Sequence, residues 1–384
     1  MNSVKAELIY TGKGIKKDSV IRFQREKVRS ITAGKDKSAD KKYAVITPAF
    51  IDAHSHIGMN RSGEPGTESE SNEKMESMMT AADALDSVQM DDRSFQDAIE
   101  AGVLYSCVVP GSGNIIGGRA AVIRNYGANT SEALIGRAGI KAAFGYNPMS
   151  TRSWKGSRPY TRMGALSLLR SRLTDIRNKE KQYKNASSAK KKEMSFSAEE
   201  ELLRKLIAGR EILRVHVHKA DDIMSLLRIT DEFGLKITVE HSCDVNSTTV
   251  YRELKKRKIP VVYGPVDSFA YKVELRNAHW RNIRNLLESG VEFGLMTDHP
   301  VVLQNMLLLQ LRWFLRCGMN REQAIGVITA GNSRILGLDK YLGTLEKNKW
   351  ASFVCWDGDP FSLDTRPVAV FAEGKPVYTE KNSC

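Results

Sequence analysis

Four short apolar segments of this chain end in histidine or aspartate, and that recurrence constrains the fold more than any other feature. The first, at residues 44–58, reads AVITPAFIDAHSHIG and closes on His54 and His56. Strand side chains alternate faces, so both imidazoles leave a strand on the same side. LRVHVHKADD carries His216 and His218, KITVEHSC carries His241, and FGLMTDHP carries Asp298 and His299. Of seven histidines only His279 lies away from an apolar run. Neutral imidazole nitrogens suit zinc and its neighbours. Ends of separate strands converge only if the strands are parallel and the site lies at their carboxyl ends. That geometry predicts an α/β fold of the (β/α)8, or TIM, barrel type.

Length and composition agree. A chain of 384 residues suits one barrel plus an accessory unit, and 41% hydrophobic with 27% charged residues is ordinary for a globular protein. No apolar run nears the roughly 20 residues that span a bilayer. The start, MNSVKAELIYTGKGIKKDSV, lacks an apolar signal-peptide core, so a cytoplasmic protein without membrane contact is expected. Five dispersed cysteines, at 107, 243, 317, 355 and 384, read as reduced thiols. Cys243 follows His241 by two and stays open as a residue facing the site. The net charge of +13 is spread out, with basic runs at 35–42 and 179–192. No nucleic-acid motif accompanies it. The expected partner is a small molecule, drawn electrostatically if anionic, and a homo-oligomer stays open.

Along the chain, residues 3–33 alternate short β-like runs with glycine and charge. The same texture returns in ASFVCWDGD and PVAVFAEGKPVYTE. Neither end has strands enough for its own layer, so the two are expected to pair. Eight barrel strands are placed at IDAHSH, LYSCVVP, AAVIRNYG, IKAAFG, LRVHVH, KITVEHS, IPVVYGP and FGLMTD. The third reads equally as a hairpin arm. Amphipathic helices are predicted in DDIMSLLRITDEFG, STTVYRELKKRK and HWRNIRNLLESG. QNMLLLQLRWFLRC reads as a buried helix and REQAIGVITAGNSRILGL as two short ones. Residues 60–79 form a polar loop, a lid or a mobile insertion. The Lys- and Ser-rich stretch 178–194 reads as a solvated mobile insertion.

Taken in order, TPAFIDAHSH, VHVHKADDI, TVEHSC, LMTDHP and TAGNSRILGLDKYLGTLEKNKWASFVCWDGDP resemble the amidohydrolase superfamily of metal-dependent hydrolases, in its imidazolonepropionase-like and prolidase-like branch. The resemblance implies a composite β-sandwich from 1–47 and 340–384 beside a barrel at 48–339. It implies metal ligation by His54, His56, His216 and Asp298, with His218 lining the pocket or exchanging roles with His216. His241 matches a residue that binds a second ion in two-metal members and contacts water or substrate in one-metal members. Relatives bridge two ions with a carboxylated lysine or a glutamate near the fourth strand. Here that region reads GIKAAFGYNPM, with Tyr146 where a glutamate is usual and Lys141 as the candidate carboxylated bridge. Two close cations without a bridging carboxylate repel, which favours one divalent ion, zinc first, over two. In PGSGNIIGGRA, which lacks the pattern of a phosphate loop, Asn114 is the candidate substrate contact. In VELRNAH, Arg276 is the candidate partner of a substrate carboxylate.

The expected reaction is hydrolysis of an amide or cyclic amide C–N bond of a small, carboxylate-bearing substrate, dipeptides included. Asp298 moves the proton, and His241 or His218 stabilises the oxyanion. Ring deaminases of the superfamily carry a glutamate three residues after the fifth-strand histidine. Lys219 stands there, against that alternative. A non-catalytic metal-binding barrel is the remaining alternative, supported by Tyr146.

Overall fold

In the computed structural model, which describes residues 1–33, 41–149 and 157–380, the chain forms two sheets. The strands begin with β1 (Asn2–Tyr10), β2 (Ile15–Gln24), β3 (Lys27–Ala33) and β4 (Lys41–Pro48). They continue through β5 (Phe50–Ser55), β6 (Val103–Val108), β7 (Ile116–Arg124), β8 (Leu134–Ala143), β9 (Ile212–Val217), β10 (Lys236–His241), β11 (Val261–Tyr263) and β12 (Phe293–Leu295). They close with β13 (Phe353–Trp356), β14 (Pro367–Ala372) and β15 (Lys375–Thr379). Strands β5 to β12 form the second sheet in sequence order, and it curls into a nearly closed barrel.

All neighbours in the barrel sheet pair in parallel except β7, which runs antiparallel to both β6 and β8. The third segment is therefore a hairpin arm. An antiparallel partner needs no crossover helix, and only the four-residue helix Thr130–Ala133 separates β7 from β8. The parallel crossovers are helical. Ala220–Phe233 follows β9 and stops at Gly234, whose φ of 67° is the left-handed cap glycine favours. Thr248–Lys256 follows β10 with Ser247 as its cap, and Ile283–Ser289 precedes β12.

Between β12 and β5 no strand ladder forms among the described residues, and side chains close the seam. Asn332, fully buried, donates from Nδ2 to Ile51 O at 2.5 Å and to Leu295 O at 2.8 Å, and accepts from Leu295 N at 2.9 Å. Asp52 of β5 accepts from Thr297 N at 3.1 Å and Gln304 Nε2 at 3.0 Å. Gly294 is required here, because a Cβ on it would lie 2.0 Å from Asn332 Oδ1.

The two chain ends do pair: β13 lies antiparallel on β4, Val354 opposite Thr47. The result is one continuous sheet in the order β15-β14-β13-β4-β1-β2-β3. It folds over a core of its own, so that the Phe23 ring on β2 meets Phe353 and Phe371 at 5.5 and 5.8 Å.

Three expectations about helical segments change. The stretch 178–194 is mostly helical, within Arg162–Asn185 and Ser188–Glu193. Its lysines and glutamates are good helix formers, and they pair with the next helix, Lys179 to Glu200 at 2.8 Å. The buried helix expected over QNMLLLQLRWFLRC shortens to Leu311–Arg316 after a 3-10 turn at Gln304–Met306, where Gln304 Nε2 turns inward to Asp52, Ser55 and Ser106. REQAIGVITAGNSRILGL runs on as one helical segment through a π turn at Val327–Gly331.

The loop 60–79 is tied down along its length. Gly111 N donates to Ser71 O at 2.6 Å, Gly113 N to Asn72 Oδ1 at 2.7 Å, and Met79 N to Ile116 O at 2.7 Å. Cys107, Cys243, Cys317 and Cys355 are free thiols. Cys384 and most of the basic run 35–42 lie outside the described residues. No helix among those described is long and apolar enough to cross a membrane.

Candidate metal centre

The carboxyl ends of the parallel strands bring the expected residues together. His54 and His56 leave β5 on one side, as period two requires, with ring centroids 5.3 Å apart. Asp298 Oδ1 stands 3.1 Å from His56 Nε2 and 3.4 Å from His54 Nε2. The His241 ring lies 5.0 Å from His54 and 4.1 Å from His216, and His216 lies 4.7 Å from His218. Two groups have ligand atoms within 4.8 Å of one another: His54, His241 and Asp298, and His216, His218 and His241. His241 is common to both. His216 falls in the second group, beside His218, rather than with Asp298.

Two of these side chains are aimed by unusual backbone. His241 and Asp298 adopt φ of 77° and 52°, in the left-handed region that non-glycine residues rarely visit. Held strain of this kind concentrates at functional sites.

Second partners orient the rings. His56 Nδ1 donates to Val109 O at 2.7 Å and His241 Nδ1 to Gly264 O at 3.1 Å. His54 Nδ1 is bonded to the Glu240 carboxylate. Each bond leaves Nε2 facing inward, the arrangement that fixes the tautomer of a metal-binding histidine. Burial drives the His216, His218 and His241 rings well towards their neutral forms. Burial alone would raise the Asp298 carboxyl, but the His241, His54 and His56 rings beside it hold it far below the ordinary carboxylate range.

The decisive feature is what these atoms lack. His54 Nε2, both ring nitrogens of His216, His218 Nδ1 and His241 Nε2 are buried with no hydrogen-bond partner among the described residues. Buried polar atoms are normally satisfied, and each unsatisfied one costs about 1–3 kcal/mol. Several together, converging with a carboxylate, suit a borderline divalent cation.

Lys141 on β8 is fully buried, and its Nζ donates to Pro110 O and Ser112 Oγ, each at 3.0 Å. Burial lowers its pKa to about 8, against the pull of Glu240 and Asp298. Ser112 also lines a cavity of about 780 Å³ with Asn72, Tyr146, Tyr271, Lys272 and Arg276. Lys272 pairs with buried Glu274 at 2.7 Å, and Glu274 in turn approaches His216 Nε2 to 3.7 Å, so the cavity adjoins the histidines. Asn114 takes no part in this wall: it is buried, and Nδ2 donates to Glu73 O at 3.1 Å and Glu76 O at 2.7 Å, clamping the 60–79 loop.

Sequence reasoning missed Glu240, Arg214 and Glu274. Glu240 was legible as a charge inside an apolar strand next to His241. Arg214 was a second such charge, two residues before His216. Nothing local marked Glu274, which arrives on the short 3-10 turn Val273–Leu275.

A curled, mostly parallel sheet with imidazoles and an aspartate gathered at its strand ends defines the class of barrel proteins built around a metal centre. The sequence profile of the amidohydrolase family matches residues 178–381. The chain belongs to that family, whose members are hydrolases generally dependent on divalent metal ions. An amidohydrolase of Thermotoga maritima MSB8 is 30% identical, with a TM-score of 0.91 over 99% of this chain and 100% of that one. A prolidase crystallised with N-methylphosphonate-L-proline shares the fold at 13% identity, TM-score 0.63, over 99% of this chain and 100% of its own. The amidohydrolase tasK of Hapsidospora irregularis is 22% identical over 359 residues, 87% of this chain and 36% of that protein. This chain thus spans about a third of the length of the curated relative it matches.

Proposed function

We propose that the chain is a metal-dependent hydrolase of amide or cyclic amide C–N bonds in small, carboxylate-bearing substrates. The observation that carries this reading is the set of buried, unpartnered ring nitrogens facing Asp298. His54, His56 and Asp298 would hold a divalent cation, zinc first, with His216 completing the set and His241 beside it. Such a cation supplies Lewis acidity, polarising the scissile carbonyl and making water acidic enough to react near neutral pH. Asp298, kept ionised, accepts a proton as the water oxygen bonds to the carbonyl carbon. It returns that proton to the nitrogen as the C–N bond breaks. His218 donates to the developing oxyanion, while His241, its one proton held at Nδ1 by Gly264 O, turns an unprotonated Nε2 to the water.

Arg276 is exposed and lines the cavity, which suits it to a substrate carboxylate as a planar fork. Tyr146, 43% exposed on the same wall, offers a ring face to the substrate body. The presence of N-methylphosphonate-L-proline in the prolidase, and of methionine in the active site of a Xaa-Pro dipeptidase of the same fold at 11% identity, supports a carboxylate beside the scissile bond.

One observation favours a second reading of the metal count. Two groups sharing His241, with Lys141 buried on β8 beside β9, suit two ions bridged by a carboxylated Lys141. A panel of N-acyl amino acids, dipeptides and cyclic amides, assayed with zinc-loaded protein, tests the substrate class. Turnover confined to carboxylate-bearing members, with KM raised in Arg276→Ala, is expected. Activity only on uncharged substrates would refute it.

A further inference from the structure

Three charged or ionisable side chains from neighbouring parts of the barrel form a buried chain behind the metal centre. Arg214, 1% exposed on β9, donates from Nη1 to Glu240 Oε1 at 3.0 Å, and its Nε bonds Ala138 O. Thr238 Oγ1 donates to the same Oε1 at 2.9 Å. The other carboxylate oxygen, Oε2, meets His54 Nδ1. Glu240 has no exposed surface. Strand register builds the contact: Arg214 lies opposite Thr238, and Glu240 opposite His216.

A buried carboxylate is costly unless paired and hydrogen-bonded, and Arg214 with Thr238 occupies one oxygen fully. That leaves the second oxygen with a fixed direction, towards His54. His56 and His241 rest on main-chain carbonyls; His54 rests on a charge. A carboxylate behind an imidazole holds its proton at Nδ1, prevents ring rotation and strengthens Nε2 as a donor.

We propose that Glu240 is the positioning residue of His54, fixed in turn by Arg214, and that this chain sets the affinity of the metal centre. The inference rests on the metal reading given under the proposed function. The competing role for Glu240 is purely structural, as counterion to Arg214. The two differ in what restores function. Replacing both charges, as Arg214→Met with Glu240→Gln, removes the unpaired guanidinium left by Glu240→Gln alone, and so relieves folding stress without restoring the support of His54.

The test is the zinc dissociation constant, measured by competition with a chromophoric chelator, for wild type, Glu240→Gln and the double variant, with melting temperatures of the metal-free forms. Expected is a weakening of roughly 10- to 100-fold in both variants, the range seen when such supporting groups are removed, even where the double variant melts like wild type. Wild-type affinity in the double variant would overturn the inference. Zinc binding by none of the three would instead remove the metal reading itself. Should neither variant fold, selective 15N-histidine spectra of zinc-loaded wild type decide. A proton on His54 Nδ1 with Nε2 ligated supports the inference, and ligation through Nδ1 overturns it.

Discussion

The main-chain N–H of Asp298 donates to the carbonyl of His54 at 3.1 Å, across the junction where β12 and β5 form no ladder. The proposed proton carrier and the first proposed ligand are thus joined through the backbone as well as facing each other through side chains 3.4 Å apart. His56 N donates to His299 O at 3.0 Å beside them. Closure of the barrel and assembly of the site are therefore one event, and damage to the seam should be felt at the metal.

Asn332→Ala tests this coupling. It leaves Leu295 N and two carbonyls without their partner inside the core. A cost of about 3 kcal/mol is expected, from unsatisfied buried groups at about 1–3 kcal/mol each, together with weaker metal binding. Chemical denaturation and metal titration measure the two. Unchanged metal affinity in a destabilised variant would show that seam and site are independent.

Asp298→Asn keeps the size and one oxygen of the side chain but cannot accept the proton. Turnover should fall by a factor on the order of 10² or more, while elemental analysis finds most of the metal retained. Full activity in this variant would remove Asp298 from the mechanism.

Lys141 carries a pH signature. Its folded pKa, about 8, is below the unfolded value near 10.5. Between these values the unfolded chain binds more protons than the folded one, so stability gains with rising pH; the penalty is complete below pH 8 and gone above 10.5. In chelated protein, wild type relative to Lys141→Met should gain about 3 kcal/mol across that window. A flat difference would show that Lys141 is not buried as a strained cation.

Truncation before Ala351 removes β13, β14 and β15 and exposes the edge of β4. Residues 1–33 should lose protection from proteolysis, because Phe23 packs on Phe353 and Phe371. Persistent protection would mean that β1 to β3 stand without the C-terminal strands.

The sequence made legible what local periodicity encodes. His54-Ser-His56 and His216-Val-His218 announce one strand face each, and Gly234 and Gly290 end helices where the pattern stops. What depended on tertiary partners was hidden. Glu240 and Arg214 are ordinary strand charges until the register sets them beside His54. The helicity of 178–194 was concealed by its lysines, which resemble a solvated run until Glu200 and Glu180 are placed against Lys179 and Arg204. Asn114 looked like a pocket residue because the resembled family has a similar pocket-lining loop at this place; its partners lie 38 and 41 residues away in sequence.

The central claim, that this barrel holds a catalytic divalent cation on His54, His56 and Asp298, is tested most directly by metal content per chain. Elemental analysis of zinc-supplemented wild type, His54→Ala and His241→Ala is the measurement. The account predicts about one ion in wild type, its loss in His54→Ala, and its retention with lost turnover in His241→Ala. About two ions in wild type, falling to one in His241→Ala, would replace the one-metal reading with the bridged pair. A wild type that holds no metal and hydrolyses its substrate undiminished by chelators would contradict the account.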